Sequence, residues 1–210
     1  MKHFCIEVDE SEKLSKDTYI KYYKQDHCQY TLSDIEYNYD KNIDYFSRLS
    51  ATEFQNELTK FLKKYKDFKE IFNLNECEDV GFYLMVLDEY KQVYIGVSDN
   101  IKKRIIQHWN KHPNCLLFRN KEISKLCIDS FKALDTTRIF VWLDQSIKHK
   151  KDSFDRFLHE IHPEEKPLKN HLLFLEDKEA KMIPYFNNKY TCNRYTRENM
   201  KEFVRDFDEI

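Results

Sequence analysis

Two apolar runs stand close together near the middle of the chain. Gly-Phe-Tyr-Leu-Met-Val-Leu starts at Gly81, Val-Tyr-Ile-Gly ends at Gly96, and the polar stretch Asp88-Glu89-Tyr90-Lys91 separates them. Short apolar runs bounded by turn residues are the mark of buried strands. The spacing therefore predicts antiparallel strands over 81–88 and 92–96, joined as a hairpin. Ser98-Asp99-Asn100 then offers helix N-cap chemistry. Ile101, Ile105 and Trp109 recur at i, i+4 and i+8 on a basic helix, which Lys111-His112-Pro113-Asn114 would stop. Upstream, Phe54, Leu58, Phe61, Leu62, Tyr65, Phe68 and Phe72 predict one long amphipathic helix over 50–72, opened by a Ser50/Glu53 capping box. Phe4, Ile6 and Val8 alternate as a short strand would.

Downstream, residues 120–132 read as a further helix, and Arg138-Ile-Phe-Val-Trp-Leu143 as a third strand. Residues 145–171 carry Lys148-His149-Lys150-Lys151, a short amphipathic piece from Phe154 to Ile161, and two breakers, Pro163 and Pro167; they are expected to form an insertion or a substrate-facing loop. A helix is expected over 171–186, with Leu172, Leu175, Glu179, Met182 and Phe186 on one face, and a short amphipathic helix over 196–210. The pattern predicts an α+β fold: a small three-stranded, mainly antiparallel sheet flanked by helices, with an N-terminal, mostly helical extension. The expected boundaries are 1–76 for the extension, 77–197 for the core domain and 198–210 for a C-terminal helix.

Composition sharpens this picture at one point. Average usage would give a chain of this length about fifteen glycines; this one has two, Gly81 and Gly96, both in the hairpin. Glycines retained so sparingly mark backbone positions where a side chain has no room. The net charge of −2 counts against a general nucleic-acid binder. Its distribution counts the other way, because residues 100–125 hold seven Lys or Arg against one acid, on and just after the motif helix. No apolar run is long enough to span a membrane, the start lacks a signal-peptide core, and six cysteines show no C-x-x-C pairing, so a cytoplasmic protein with reduced thiols is expected. The tyrosines of 11–46 fit core or interface packing better than base stacking.

The stretch from Gly81 to Trp109 resembles the core of the GIY-YIG nuclease family. Gly81-Phe82-Tyr83 stands in the first motif, with Phe where the family carries Ile, and Tyr94-Ile95-Gly96 matches the second in full. Arg104 stands at the family's helix arginine, and His108 follows one turn later, as in a restriction-enzyme branch. Glu179-Ala-Lys-Met-Ile183 resembles the helix whose glutamate binds the metal, although Pro184 interrupts it; Glu176 is the rival carboxylate. Asn193 fits the family's closing asparagine better than Asn187. The resemblance covers about residues 79–195.

It implies a metal-dependent endonuclease that hydrolyses DNA, with RNA as the open alternative, through one Mg²⁺ or Mn²⁺ held by Glu179. The implied site residues are Tyr83, Tyr94, Arg104, His108, Glu179 and Asn193. Arg104 suits a phosphate, being a fixed and permanently charged donor fork. Either tyrosine could act on the attacking water; Tyr83 is the preferred base and Tyr94 the positioning group, with the reverse order open. His108 would share a proton with the tyrosine or contact phosphate, and Asn193 would touch substrate or join a hydrogen-bond network. A double-strand break would require two sites, as a homodimer provides. The competing reading is a non-catalytic nucleic-acid-binding or regulatory protein on the same scaffold.

Overall fold

The computed structural model describes residues 4, 13–25, 31–111, 125–144 and 170–193. The expected strand through Ile6 and Val8, the loop 145–169 and the helix 196–210 lie outside them. The described chain is α+β, with a four-stranded antiparallel sheet flanked by helices. The hairpin forms as β2 (Gly81–Leu87) and β3 (Gln92–Ser98), registered so that Tyr83 faces Gly96 and Met85 faces Tyr94. A 3-10 turn over Asp88–Tyr90 joins them, closed by Lys91 in the left-handed region at φ 51°. The expected strand at 138–143 is β4 (Arg138–Leu143), which pairs antiparallel with β2 on the side away from β3. Every β2 residue is buried, as an inner strand requires.

The sheet has one strand more than the sequence pattern predicts. Helix α3 is Ala51–Lys64, not 50–72, and Lys69–Ile71 forms an edge strand, β1, paired antiparallel with β4. The apolar residues that continue the helical spacing past Tyr65 pack differently. Phe68 enters the core against Phe61 and Trp142, whereas Phe72 is 64% exposed. Free pairing groups on the edge of β4 outweigh one more helical turn across Lys66 and Asp67. Ser50 caps α3 as expected by accepting from the Glu53 N–H, but the Glu53 carboxylate binds Lys189 at 2.9 Å in place of a reciprocal box bond.

Gly81 allows β2 to lie close against β4. A Cβ there would meet the Trp142 carbonyl oxygen at 2.2 Å. Before α3 come α1 (Lys16–Gln25) and α2 (Leu32–Arg48), the latter with a Thr31/Asp34 capping box. Tyr19, Tyr39 and Tyr45 are buried among the core aromatics, which is the packing role. Helix α4 (Ile101–Asn110) starts at Asn100, whose side chain accepts from the Lys103 N–H, and it buries Ile101, Ile105 and His108. No α-helix forms over the described part of 120–132; the chain makes 3-10 turns at Ile128–Ser130 and Ala133–Asp135. Helix α5 (Asn170–Met182) ends earlier than predicted, because Pro184 opens a 3-10 turn over Ile183–Tyr185. Among the described residues, no helix is long and apolar enough to cross a membrane.

Asp135 ties three parts of this framework together. It is fully buried and accepts from the Leu14 N–H at 3.2 Å, the Lys132 N–H at 2.6 Å and the Tyr90 hydroxyl at 2.8 Å. Burial pushes its carboxyl up from the ordinary 3.8 to about 6, against those donors. The unfolded chain releases this proton near 3.8 and the folded chain holds it to about 6. The contribution to stability is therefore full below about pH 4, declines as pH rises and is gone above about 6. Urea-unfolding midpoints across that window should show the decline in the native protein, and Asp135→Asn should remove it. Parallel curves for the two proteins would exclude the assignment.

Candidate active site

The hairpin register builds the centre of the site. Tyr83 faces Gly96 across the ladder, and Tyr94 lies two residues before Gly96, so both phenol rings project from one face as diagonal neighbours. Their centroids are 6.0 Å apart. Gly96 is the notch that seats the Tyr83 ring: a Cβ there would lie 2.2 Å from Tyr83 Cζ and 2.3 Å from its hydroxyl oxygen. Helix α4 brings His108 to the same cluster, edge-on to Tyr94 at 5.0 Å. The Tyr83 hydroxyl lies 2.8 Å from His108 Nε2. On its far side, His108 Nδ1 lies 2.5 Å from Asp129 Oδ1, and the other oxygen of Asp129 accepts from Lys111 Nζ at 3.3 Å.

The electrostatics give these contacts a direction. Burial pulls the His108 imidazolium down from 6.5, against the pull of Asp129, so the ring is neutral near neutral pH. Burial opposes ionisation of Asp129 as well, but His108 and Lys111 hold it below the ordinary carboxylate value. A neutral imidazole beside a carboxylate donates from Nδ1, which leaves the Nε2 lone pair to accept the Tyr83 O–H. Burial also holds the Tyr83 hydroxyl well above its ordinary 10, and the nearby Tyr94 adds to the shift; Arg104 pulls the other way and loses. A charged neighbour such as Arg104 would favour an ionised phenol, but desolvation wins and the buried Tyr83 hydroxyl stays protonated. Tyr94 shifts in the same direction, first through burial and then through the Glu179 carboxylate.

The six residues expected at the site do not all hold the same kind of position. Arg104, half-buried on α4, lies close enough to Tyr83 to pull against the rise of its hydroxyl pKa. Glu179, half-buried on α5, lies within electrostatic reach of both tyrosines. Glu176, its rival, is half-buried one turn earlier on the same helix, and neither tyrosine's titration registers it among its main influences. Asn193 is 4% exposed and turned inward: its Oδ1 accepts from the Ile95 N–H at 3.0 Å, and its Nδ2 donates to the Ile95 carbonyl at 2.7 Å. It pairs with the β3 edge as another strand would, just past the Val93–Thr191 bridge. Its role there is to position the strand between Tyr94 and Gly96, the network alternative of the two expected. Asn187 caps the 3-10 turn at Asn188–Tyr190 on the surface.

Asp129 is the site residue that sequence reasoning missed. It lies 21 positions from His108 with no motif around it; the one available hint was that His108 needs a second partner to fix its tautomer. Among the described residues, no group of three or more His, Cys, Asp or Glu could hold a metal. A lone carboxylate still suits Mg²⁺, which keeps several waters and takes one or two carboxylates together with substrate oxygens. No family model, curated protein or solved structure matches the chain.

Proposed function

We propose that the protein is a metal-dependent endonuclease of the GIY-YIG kind, acting on the phosphodiester backbone of DNA. The observation that carries the reading is the hydrogen-bonded line Tyr83–His108–Asp129, seated in the Gly96 notch with Arg104 on the adjoining turn of the same helix. Packing alone would not require a neutral histidine with a free lone pair aimed at a phenol. Tyr94, more exposed than Tyr83 and with its ring centroid 6.0 Å from that of Tyr83, meets the attacking water. As the water oxygen attacks phosphorus, its proton passes to Tyr94, the Tyr94 proton to Tyr83, and the Tyr83 proton to His108 Nε2. The P–O3′ bond breaks, and the 3′ oxygen takes a proton from solvent. Asp129 holds the imidazolium that results, as a carboxylate behind a general-base histidine does. Arg104 offsets the charge on the phosphoryl oxygens. Glu179 would hold a Mg²⁺, which supplies Lewis-acid stabilisation of the phosphoryl and leaving oxygens when bound.

One observation favours a second reading, a binding protein without catalysis: Tyr83 and His108 are each 1% exposed, so no substrate atom reaches them directly. The relay through Tyr94 answers that objection, and the two readings separate in one assay. Supercoiled plasmid is expected to be nicked in Mg²⁺, spared in EDTA and nicked again when Mg²⁺ is restored. Glu179→Ala is expected to raise the Mg²⁺ needed for half-maximal rate by about 10–100-fold. If that shift follows Glu176→Ala instead, the metal ligand is Glu176. Inert wild-type protein on plasmid, single strands and bacteriophage DNA would establish the binding reading.

A further inference from the structure

Beside the catalytic stripe of α4 runs a second one. Arg104 and His108 follow one line of the helix, with Lys111 at its C-cap; Lys103, Gln107 and Asn110 follow the next. With Lys102, Ile106 and Lys111 they line a groove of about 830 Å³, whose one acidic wall residue among the described residues is Glu78. That acid is already answered by Lys102 at 2.5 Å, so it does not cancel the charge of Lys103. The groove joins the site at two points. Gln107 Oε1 accepts from an Arg104 guanidinium nitrogen at 3.5 Å, and Lys111 binds the Asp129 that holds His108. Ile106, 37% exposed, gives the wall an apolar patch.

Lysines and side-chain amides beside a little apolar surface are the groups that hold a sugar–phosphate backbone without reading its sequence. The ten residues of α4 span about 15 Å, or about four phosphates at ~3.4 Å of rise per nucleotide. The helix N-terminus at Asn100 adds its dipole at the same end as Lys103. We propose that this groove is a phosphate track for the nucleic-acid strand flanking the scissile bond. Lys103 meets a phosphate, and Gln107 and Asn110 hydrogen-bond the adjoining backbone. The inference rests on the nuclease reading only for the place of the scissile bond; binding along the track requires no catalysis.

The test is fluorescence anisotropy of a labelled DNA duplex, and of the RNA duplex of the same sequence, with EDTA present so that nothing is cut. Salt titrations of wild type, Lys103→Ala and Lys103→Glu are compared. Lys103→Ala is expected to lower the slope of log K against log salt by about one, and Lys103→Glu to weaken binding by roughly tenfold at low salt. Gln107→Ala with Asn110→Ala should weaken binding equally on unrelated sequences, with the slope unchanged. Lys103 is exposed, so matching thermal melts should show that the variants fold. Wild-type affinity and slope in both Lys103 variants would overturn the track while leaving the nuclease reading intact, provided plasmid is still cut. Lys103-dependent binding by a protein that cuts nothing would keep the track and remove the nuclease. No wild-type binding to either duplex would overturn the track.

Discussion

Asp129→Asn is expected to slow cleavage by about 10³–10⁴-fold while leaving nucleic-acid affinity and the fold nearly untouched. The side chains have the same shape, so the loss comes from the direction of one hydrogen bond. The carboxylate can only accept, which places the His108 proton on Nδ1 and leaves Nε2 open to Tyr83 at 2.8 Å. An amide can donate to Nδ1, and the ring proton then moves to Nε2, where it blocks transfer from the phenol. Lys111 loses an ionic partner but keeps its contact with water, so little stability goes with it. The ¹⁵N shifts of His108 read the tautomer directly, without activity. Because burial holds the imidazolium below 6.5, wild-type kcat/KM should stay level down to that pH and fall only on its acid side. Removing the carboxylate takes away a group that raises the His108 value, so the acid limb of Asp129→Asn should not move upward. Tyr83→Phe should cost as much, and Tyr83→Phe combined with His108→Ala no more than either alone, since both break one relay. Wild-type rates in Asp129→Asn, or full additivity in the double variant, would remove the relay from the mechanism.

Gly96→Ala should damage both stability and activity through a single added methyl group. Its Cβ would stand 2.2 Å from Tyr83 Cζ and 2.7 Å from Cε1, well inside any contact real atoms make. The ring has little room to retreat: its hydroxyl is bound to His108, Tyr94 lies beside it, and the β2 backbone is paired on both edges. Overpacking of this kind costs about 3 kcal/mol or more, a large part of the ~5–15 kcal/mol that holds a domain together. The urea midpoint should fall accordingly, and activity should vanish because the Tyr83 hydroxyl leaves Nε2. Shortening the obstructing side chain provides the control. Tyr83→Leu in the Gly96→Ala background should recover much of the stability and none of the activity, a coupling of opposite sign in the two readouts. A Gly96→Ala protein as stable as wild type would mean that the ring does not sit over the notch.

The local features of the hairpin were legible in the chain. Two apolar runs around a polar turn gave β2 and β3, the Asn100 cap and the spacing of Ile101 and Ile105 gave α4, and a β-branched, aromatic run gave β4. Each is a matter of neighbours along the sequence. The scarcity of glycine marked Gly81 and Gly96 as close approaches, although the partners, Trp142 and Tyr83, lie elsewhere in the chain. The spacing of Arg104 and His108 placed both on one helix face for the same local reason.

Tertiary structure decided what depends on distant partners. Helical spacing continues past Lys64, yet the open edge of β4 draws Lys69–Ile71 into the sheet, and no window of sequence contains both. Asn193 reads as a polar residue near a motif until Ile95, 98 positions away, takes both ends of its amide. Asp129 carries no signature because a carboxylate becomes part of a relay only when a buried imidazole stands against it. The sequence by itself determined the hairpin, α4 and β4, and which residues carry suitable chemistry, since propensity and periodicity act over a few residues. Protonation, tautomer and burial belong to the tertiary structure, because desolvation and hydrogen bonding between remote segments set them.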